Sequence, residues 1–408
     1  MGKTILFVTL GTLGDVHPYI AIGRVLRSGG HRVTIATLAR HRTAVVGSGL
    51  DFAVAQPDDR AGTPEDPLAR VFAEPGKAMR LLSRELVLDQ MEESFAAALR
   101  LVAGHDLTVL HPAALGARLA AEKLGRPWIS TILSPVSLPS RLAPPQKVYP
   151  VALQRMGSAE RAAYFRELAA PWYAQRQRLG LPHLVPGRAL DGPNGILALF
   201  SRHFAADPGD WPAMVRITGF CRYEGAADGA ELERLSTFLA AGPPPLVATL
   251  GAQSTLIGRH FFPAAHAAAR RLGLRFLAIG GTAEALGLEP CPNLACFPSM
   301  PFSRAFPHAA AIVAHAGIGT TAQALAAGVP FLAVALPFHD GPDNARRVRN
   351  LGVGEGIVLQ QRDLTEPLAR VARLIGEPRF AEKARRLAAA LAGEDGATAA
   401  AARILECA

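Results

Sequence analysis

Ala310-Ala-Ile-Val-Ala-His-Ala-Gly-Ile-Gly-Thr-Thr-Ala-Gln-Ala-Leu-Ala-Ala-Gly-Val-Pro330 reads as a buried strand, a turn and a helix. The strand ends near Ala314, the turn carries His315, Gly317 and Gly319, and the helix runs from about Thr320 to a stop at Gly328. A strand feeding a helix through such a turn is the unit of a parallel α/β sheet. It is also a geometry that holds phosphate. Backbone N–H groups at a helix start point outward, the helix dipole favours an anion, and glycine lets oxygens approach closely. His315 can add a side-chain donor and Thr320 a hydroxyl. The same residues would also serve as a plain turn in which the histidine merely packs.

Working outward, residues 331–336 form the next apolar strand, followed by the polar loop Pro337-Phe-His-Asp-Gly-Pro-Asp-Asn-Ala345. Asp340, Asp343 and Asn344 could meet sugar hydroxyls there; alternatively the loop is an Asx-rich turn capping a helix that starts near Asn344. Upstream, residues 245–250 and 275–279 are further strands of this block. The amino terminus has the same alternation, with a strand at 5–10, a loop at 11–15, a helix at 18–28 ended by Gly29-Gly30, and a strand at 32–37. Strands at 107–110 and 128–133 flank a helix at 113–124. The fold class is therefore α/β, with two doubly wound parallel sheets of Rossmann-like type.

A length of 408 residues fits two domains. Residues 207–223, rich in Pro, Gly and Asp, read as the linker between a first domain at 1–206 and a second at 224–386. In such sheets ligands sit beyond the carboxyl ends of the strands, so the site is expected between the two domains. The insertions at 64–100 and 139–185 are expected to wall that cleft, with an amphipathic helix at 79–91 packed on the core.

Composition narrows the function classes. Half the residues are hydrophobic and 19% are charged, which fits a globular enzyme and not a disordered chain. The net charge of +9 comes from scattered arginines, without a dense basic block interleaved with aromatics, so nucleic acid is not the expected partner. Cys221, Cys291, Cys296 and Cys407 include no C-x-x-C pair, which argues against a zinc site or a disulfide framework. The first residues read as a strand and not as a signal peptide. No apolar run approaches the roughly 20 residues that span a bilayer. A cytoplasmic protein is expected, with at most weak peripheral contact with the inner membrane face.

The order of phosphate turn, apolar strand and P-x-H-D-x-x-D-N-A resembles the donor-binding signature of inverting GT-B glycosyltransferases that use UDP- or dTDP-sugars. Val8-Thr-Leu-Gly-Thr-Leu-Gly-Asp-Val-His-Pro-Tyr-Ile-Ala-Ile-Gly23 resembles the G-[ST]-x-G-D-x-x-P opening of the sterol-glucosyltransferase-like, macrolide and rhamnolipid branch, so the likeness covers nearly the whole chain.

The resemblance implies metal-independent transfer of a hexose to a hydroxyl of a small lipophilic acceptor, with no cofactor beyond the nucleotide sugar. It places the base at Asp15, because Gly14 is followed by Asp where many relatives have His. Pro18 suits a first helical position, which would leave Asp15 in the loop. An alternative role for Asp15 is as a turn or capping carboxylate. The resemblance implies diphosphate contacts from His315, Gly317, Gly319 and Thr320, and sugar or nucleoside contacts from Gly251, Ser299, Met300, Gln323 and Asp340.

Gln323 stands where plant relatives have a ribose-binding Glu, and Gly341 where many relatives have a Gln, which leaves UDP-glucose first and dTDP-rhamnose second as donor. Acceptor contacts are assigned to His17, His111 and Ser134; an exposed pre-helical position for His17 and a surface position for His111 are the alternatives. The last helix, about 387–405, should cross back onto the first domain, making 387–408 a separate segment. Two other classes stay open: a nucleotide-sugar epimerase, and a non-catalytic auxiliary partner of a transferase.

Overall fold

The computed structural model describes residues 2–58, 60–74, 77–146, 155–184, 192–251, 254–337, 339–359 and 365–408. The first sheet has seven strands in the order β3-β2-β1-β4-β5-β6-β7. These are β1 Thr4–Val8, β2 Arg32–Thr37, β3 Asp51–Val54, β4 Leu107–Leu110, β5 Trp128–Ile132, β6 Ile196–Ala198 and β7 Val215–Ile217. The second has six in the order β10-β9-β8-β11-β12-β13: β8 Leu246–Thr249, β9 Phe276–Ile279, β10 Leu294–Phe297, β11 Ala311–His315, β12 Phe331–Ala335 and β13 Gly354–Val358. Every pairing in both sheets is parallel. Helices cover both faces, which is why central strands such as β4, β5, β8 and β12 are buried along their whole length.

Strand order reverses between β1 and β4 in the first sheet and between β8 and β11 in the second. At such a switch point the connections leave in opposite directions and open a crevice at the carboxyl edge. The segments that emerge there are the two that the sequence singled out, after β1 and after β11.

Several expected boundaries move. The first helix, α1, spans Leu13–Ser28 and contains Pro18 instead of starting at it. The Asp15 carboxylate caps the Thr12 N–H, which begins the helix earlier, and Pro18 then falls in the second turn, where its ring forgoes a bond to the Gly14 carbonyl. The expected helix at 79–91 is instead a short α-turn at Ala78–Arg80 and a wider π-turn at Leu81–Leu88, ahead of α2, Met91–Ala103. Helix α3 is Leu115–Lys123 and α4, in the second insertion, is Ser158–Arg178. Part of the expected linker is sheet: Val215–Ile217 pairs with β6 as the edge strand of the first domain.

The carboxyl terminus is two helices instead of one. After α5, Ile318–Ala327, and α6, Gly341–Leu351, helix α7 at Pro378–Ala392 stays on the second domain, with Ala384 and Leu391 in its core beside Ala324 and Leu325. The chain then breaks, and α8 at Gly396–Glu406 buries Ala400, Ala401 and Ile404 in the core of the first domain with Val16 and Ile20 of α1. The crossing passes Gly219, whose φ is +106°, so closely that a Cβ on Gly396 would lie 2.5 Å from its carbonyl. A side chain there would force the two strands of chain apart. Among the described residues no helix is long and apolar enough to cross a membrane.

Candidate active site

The loop after β1 is built around one carboxylate. Asp15 lies in the first turn of α1, not in the loop. Its Oδ2 accepts from the Thr12 N–H at 2.8 Å and the Thr12 hydroxyl at 3.1 Å. The Thr9 hydroxyl donates to the Asp15 carbonyl at 2.7 Å. Gly11 makes this possible: its φ is +127°, and a Cβ would lie 2.3 Å from Asp15 Oδ2. The Gly11 carbonyl is itself held by His41 Nε2 at 2.9 Å. The capping role is therefore real, but it occupies only one carboxylate oxygen. Oδ1 faces His111 Nε2 at 3.7 Å, and the side chain keeps 25% of its surface open.

His111, just beyond β4, is not a surface histidine; its side chain is 14% exposed. Parallel pairing of β4 with β1 brings it beside Asp15. The Ala113 N–H donates to its Nδ1 at 3.1 Å. Burial lowers its pKa to about 4, against the pull of the Asp15 charge and with a push from His339. The ring packs edge-on against Tyr19 at 6.4 Å. Tyr19 pairs with Thr131 at 2.6 Å, and the Thr131 hydroxyl donates to the Leu110 carbonyl at 2.8 Å. His17, by contrast, points at the interdomain segment. It sits inside α1, packs edge-on against Tyr223 at 5.3 Å, and is lowered to about 4 by burial and then by His41. It is not an exposed pre-helical residue.

Across the cleft, β11 ends at His315, Gly317 is the N-cap of α5, and Gly328 closes the helix with a φ of +70°. The imidazole of His315 is wedged between two glycines. A Cβ on Gly251 would lie 2.7 Å from Cε1, and one on Gly317 would lie 2.5 Å from Nε2. Burial lowers His315 to about 4, with Asp340 pulling the other way, so the ring is neutral. Its Nδ1 is buried without a protein partner. The Gly319 and Thr320 N–H groups lie in the first turn, where no intrahelical carbonyl reaches them. Gly319 is exposed and open on its Cα side, while Thr320 is 7% exposed. Gln323 follows Gly319 on the same face, half-buried.

The loop after β12 closes this turn from the side. Asp340 Oδ2 accepts from the Ile318 N–H at 3.1 Å and from Asn344 Nδ2 at 2.8 Å, while Oδ1 meets His339 Nδ1 at 3.0 Å. Burial works against its charge, but the His339, Asn344 and Ile318 donors hold its pKa below the usual carboxylate range. His339 is the one non-glycine among the described residues with positive φ, +55°. Desolvation opposes its charge and Asp340 outweighs that, aided by Asp15, so its pKa is raised. Phe338 lies outside the described residues.

Other expected contacts are spoken for. Asp343 is fully buried, and its carboxylate accepts from the Gln146 N–H at 2.8 Å, Arg346 at 2.6 Å and Arg347 at 2.7 Å. Asn344 donates to the Ala316 carbonyl at 2.9 Å and accepts from the Ser134 hydroxyl at 3.2 Å. These residues bridge the domains and do not face open space, so Ser134, at 4% exposure, is an interdomain contact and not an acceptor contact. The cause is the facing of two carboxyl edges, which sets the loop after β5 against the start of α6. Met300 is buried in the second core, so only its backbone can face a ligand; Ser299 beside it is exposed.

An open groove of about 860 Å³ lies elsewhere, lined by Arg234, Phe238, Thr282 and Cys296 and not by Asp15 or His315. Its walls already pair with each other: Arg234 donates to the Cys296 carbonyl at 2.8 Å and covers the Phe297 ring at 4.1 Å. The chemistry gathers instead at the two switch points. One presents a carboxylate with a free oxygen; the other presents a neutral histidine and unpaired helix N–H groups. That pairing can take a proton on one side and hold an anion on the other.

Comparisons with known proteins show what the chain as a whole is similar to. The family model described as Erythromycin biosynthesis protein CIII-like, C-terminal domain, matches residues 287–406. The chain is 32% identical over 426 residues to an O-mycaminosyltylonolide 6-deoxyallosyltransferase of Streptomyces fradiae, covering 96% of this chain and 94% of that protein. It is 25% identical over 410 residues to a sterol 3-beta-glucosyltransferase of Arabidopsis thaliana, covering 96% of this chain and 63% of that one. A solved structure of a spinosyn rhamnosyltransferase complexed with thymidine diphosphate superposes with a TM-score of 0.71 at 20% identity, covering 99% of this chain and 100% of the other.

Proposed function

We propose that this chain, which belongs to the UDP-glycosyltransferase superfamily and is a glycosyltransferase of GT-B fold, transfers a hexose with inversion to a hydroxyl of a lipophilic ring system. The observation that carries the mechanism is the division of labour on Asp15: Oδ2 is saturated by Thr12 while Oδ1 is free and faces the cleft. Asp15 Oδ1 takes the proton of the acceptor hydroxyl. The acceptor oxygen forms the new bond to the anomeric carbon from the side opposite the leaving group. The bond from that carbon to the phosphate oxygen breaks, and its electron pair leaves with the diphosphate. The Gly319 and Thr320 N–H groups and a ring N–H of His315 receive the developing negative charge, as fixed donors in a partly dry site do best. No metal is required in this scheme.

The relatives named for O-mycaminosyltylonolide and for sterols support a polycyclic or macrocyclic acceptor, and natural-product or glycolipid biosynthesis as the setting. For the donor, the sequence motifs by themselves rank UDP-glucose ahead of dTDP-rhamnose. We favour a 6-deoxyhexose carried on dTDP. Gly341 offers no side chain where a polar one would meet a hexose hydroxyl, and the relative of 32% identity is named for a 6-deoxy sugar. An epimerase is not favoured, because the site holds one free carboxylate oxygen on the acceptor side instead of several acid and base groups.

Thermal unfolding with UDP, dTDP, UDP-glucose and dTDP-rhamnose tests this in wild type and His315→Ala. Ligands that bind only the folded state raise the melting temperature. Protection by the dTDP series that disappears in the variant is the expected result. Protection by the uridine series alone would reverse the donor assignment. Absence of protection by any nucleotide would overturn the donor site and favour the auxiliary role.

A further inference from the structure

We propose that the turn after β2, Ala39–His41, couples the insertion after β3 to the carboxylate of Asp15: Arg40 grips the insertion, and His41 holds the peptide unit that caps that carboxylate. The proposal rests on the reading of Asp15 as proton acceptor. His41 is buried, and its Nε2 meets the Gly11 carbonyl at 2.9 Å. Burial lowers its pKa against the pull of that carbonyl, so the ring is neutral at pH 7. A carbonyl only accepts, so the ring proton is on Nε2 and His41 is the donor. The same carbonyl shares one planar peptide unit with the Thr12 N–H, which points the other way and donates to Asp15 Oδ2 at 2.8 Å. His41 therefore fixes from behind the plane that presents the cap to Asp15. Gly11, at a φ of +127°, has no Cβ to resist rotation of that plane, so the His41 bond selects its orientation. Turning it would withdraw the Thr12 N–H and leave a buried carbonyl without its donor.

Arg40 stands one residue earlier in the turn. Its guanidinium donates to Asp58 at 2.7 and 2.5 Å and to Asp66 at 2.7 and 3.2 Å. Both carboxylates belong to the insertion after β3, and their side chains are 7% and 4% exposed. Asp66 also caps the helix at Pro67–Ala73 through the Leu68 N–H at 3.0 Å. A guanidinium shared by two buried carboxylates is costly to remove, because its loss strands both charges. The helix that Arg40 anchors lies against the helix at Ser254–Arg271, which follows Gly251 in the second domain. The π-turn at Leu81–Leu88 lies against α4 of the other insertion. The insertion thus spans from the edge strand β3 to the domain that holds the glycine turn. A shift of this wall pulls on Arg40, and through the same three-residue turn on His41 and the Gly11–Thr12 peptide. The seating of an acceptor against the wall is thereby linked to the aim of the base.

Amide hydrogen exchange, read by NMR on 15N-labelled protein without substrates, tests the coupling independently of catalysis. His41→Leu removes the donor, and His41→Gln keeps an N–H near the place of Nε2. Arg40→Gln releases the two carboxylates, and Arg40→Lys keeps a charge beside them. The Thr12 amide should exchange about tenfold faster in His41→Leu and near the wild-type rate in His41→Gln. In Arg40→Gln the Gly62 and Leu68 amides, both bonded to Asp66, should quicken together with Thr12, and Arg40→Lys should restore part of the protection. Faster exchange at Gly62 and Leu68 with Thr12 unchanged would overturn the coupling.

Transfer to 4-methylumbelliferone is then followed with whichever of dTDP-rhamnose and UDP-glucose protects the enzyme. We expect His41→Leu to lower kcat about tenfold with the donor KM unchanged, and His41→Gln to recover most of it. On an Asp15→Asn background, His41→Leu should cost nothing more. A further loss there as large as in the wild-type background would mean that His41 acts elsewhere, and would sink the idea. Wild-type turnover by Asp15→Asn would remove the Asp15 reading itself, whatever the exchange rates.

Discussion

Two histidine–carboxylate pairs face each other across this cleft, and they are electrostatic opposites. In the first domain Asp15 and His111 stand 3.7 Å apart and the histidine is buried, so burial wins and the ring is neutral. In the second, Asp340 is the buried member, its ring partner His339 is 60% exposed, and they meet at 3.0 Å, so the pair favours the charged ring. A histidine next to a carboxylate is therefore not a cation by default. Which member is desolvated, and whether the contact is a hydrogen bond, decides it. The contrast fits the proposed transfer: a carboxylate with one oxygen open on one side, and a carboxylate tied down beside the start of α5 on the other.

The sharpest way to break the contrast is Asp15→Asn. It keeps a capping side chain for α1 but cannot take a proton. Turnover should fall by roughly 10²- to 10⁴-fold, while the melting temperature stays close to wild type; initial rates beside a melting curve will show it. Gly11→Ala attacks the same carboxylate sterically, since its Cβ would collide with Oδ2 at 2.3 Å on a backbone of φ +127°. A loss of about tenfold or more in kcat, with some loss of stability, is expected from the strain; an enzyme of full activity would show that the loop relaxes freely.

Asp340→Ala breaks the other pair and should be mainly a stability change. It strips partners from the Ile318 N–H and the Asn344 amide, both at or near the buried start of α5. Roughly 2 kcal/mol of destabilisation is expected, read as a lower denaturant midpoint, together with weaker nucleotide protection.

The smallest effect is on pH. His111 and His315 have folded pKa values near 4, below the ordinary 6.5, so the unfolded chain binds more protons between those values. Their stabilisation is complete above pH 6.5 and is lost as pH falls toward 4. His339 runs the other way, its contribution present below 6.5 and lost as pH rises through about 9, and it is the weaker because water screens a ring with 60% of its surface exposed. Melting temperatures should therefore fall from pH 7 to pH 5 by less in His315→Asn than in wild type. An equal drop would mean that His315 carries no share of it.

Much of the candidate site is legible in the amino-acid sequence. The glycine turn and Asp340 stand out because local pattern carries them, a strand, a glycine turn and a helix start being contiguous in the chain, and Asp15 stands out through the family resemblance. What local pattern misses is equally physical. Pro18 looks like a helix start because proline suits that position, yet the Thr12–Asp15 cap has already begun the helix. Asp343 and Asn344 look like sugar ligands because they are polar in a loop, yet Arg346, Arg347, Gln146 and Ser134 consume them. His111 reads from the sequence as an acceptor contact or a surface histidine, and a stricter argument would set it beside Asp15: a histidine at the end of the strand that must lie beside β1 falls next to whatever β1 presents.

The sequence by itself determined the two parallel sheets, the glycine turn after β11 and the residue types at each strand end, because apolar periodicity and backbone freedom are properties of short segments. Only the tertiary structure decided which of those polar groups are free. Pairing of β1 with β4 puts His111 over Asp15, and the facing of the two carboxyl edges spends Ser134 and Asn344 on each other. A hydrogen bond between residues 210 positions apart leaves no trace in either neighbourhood. The protonation of each histidine likewise depends on what the rest of the chain removes from water.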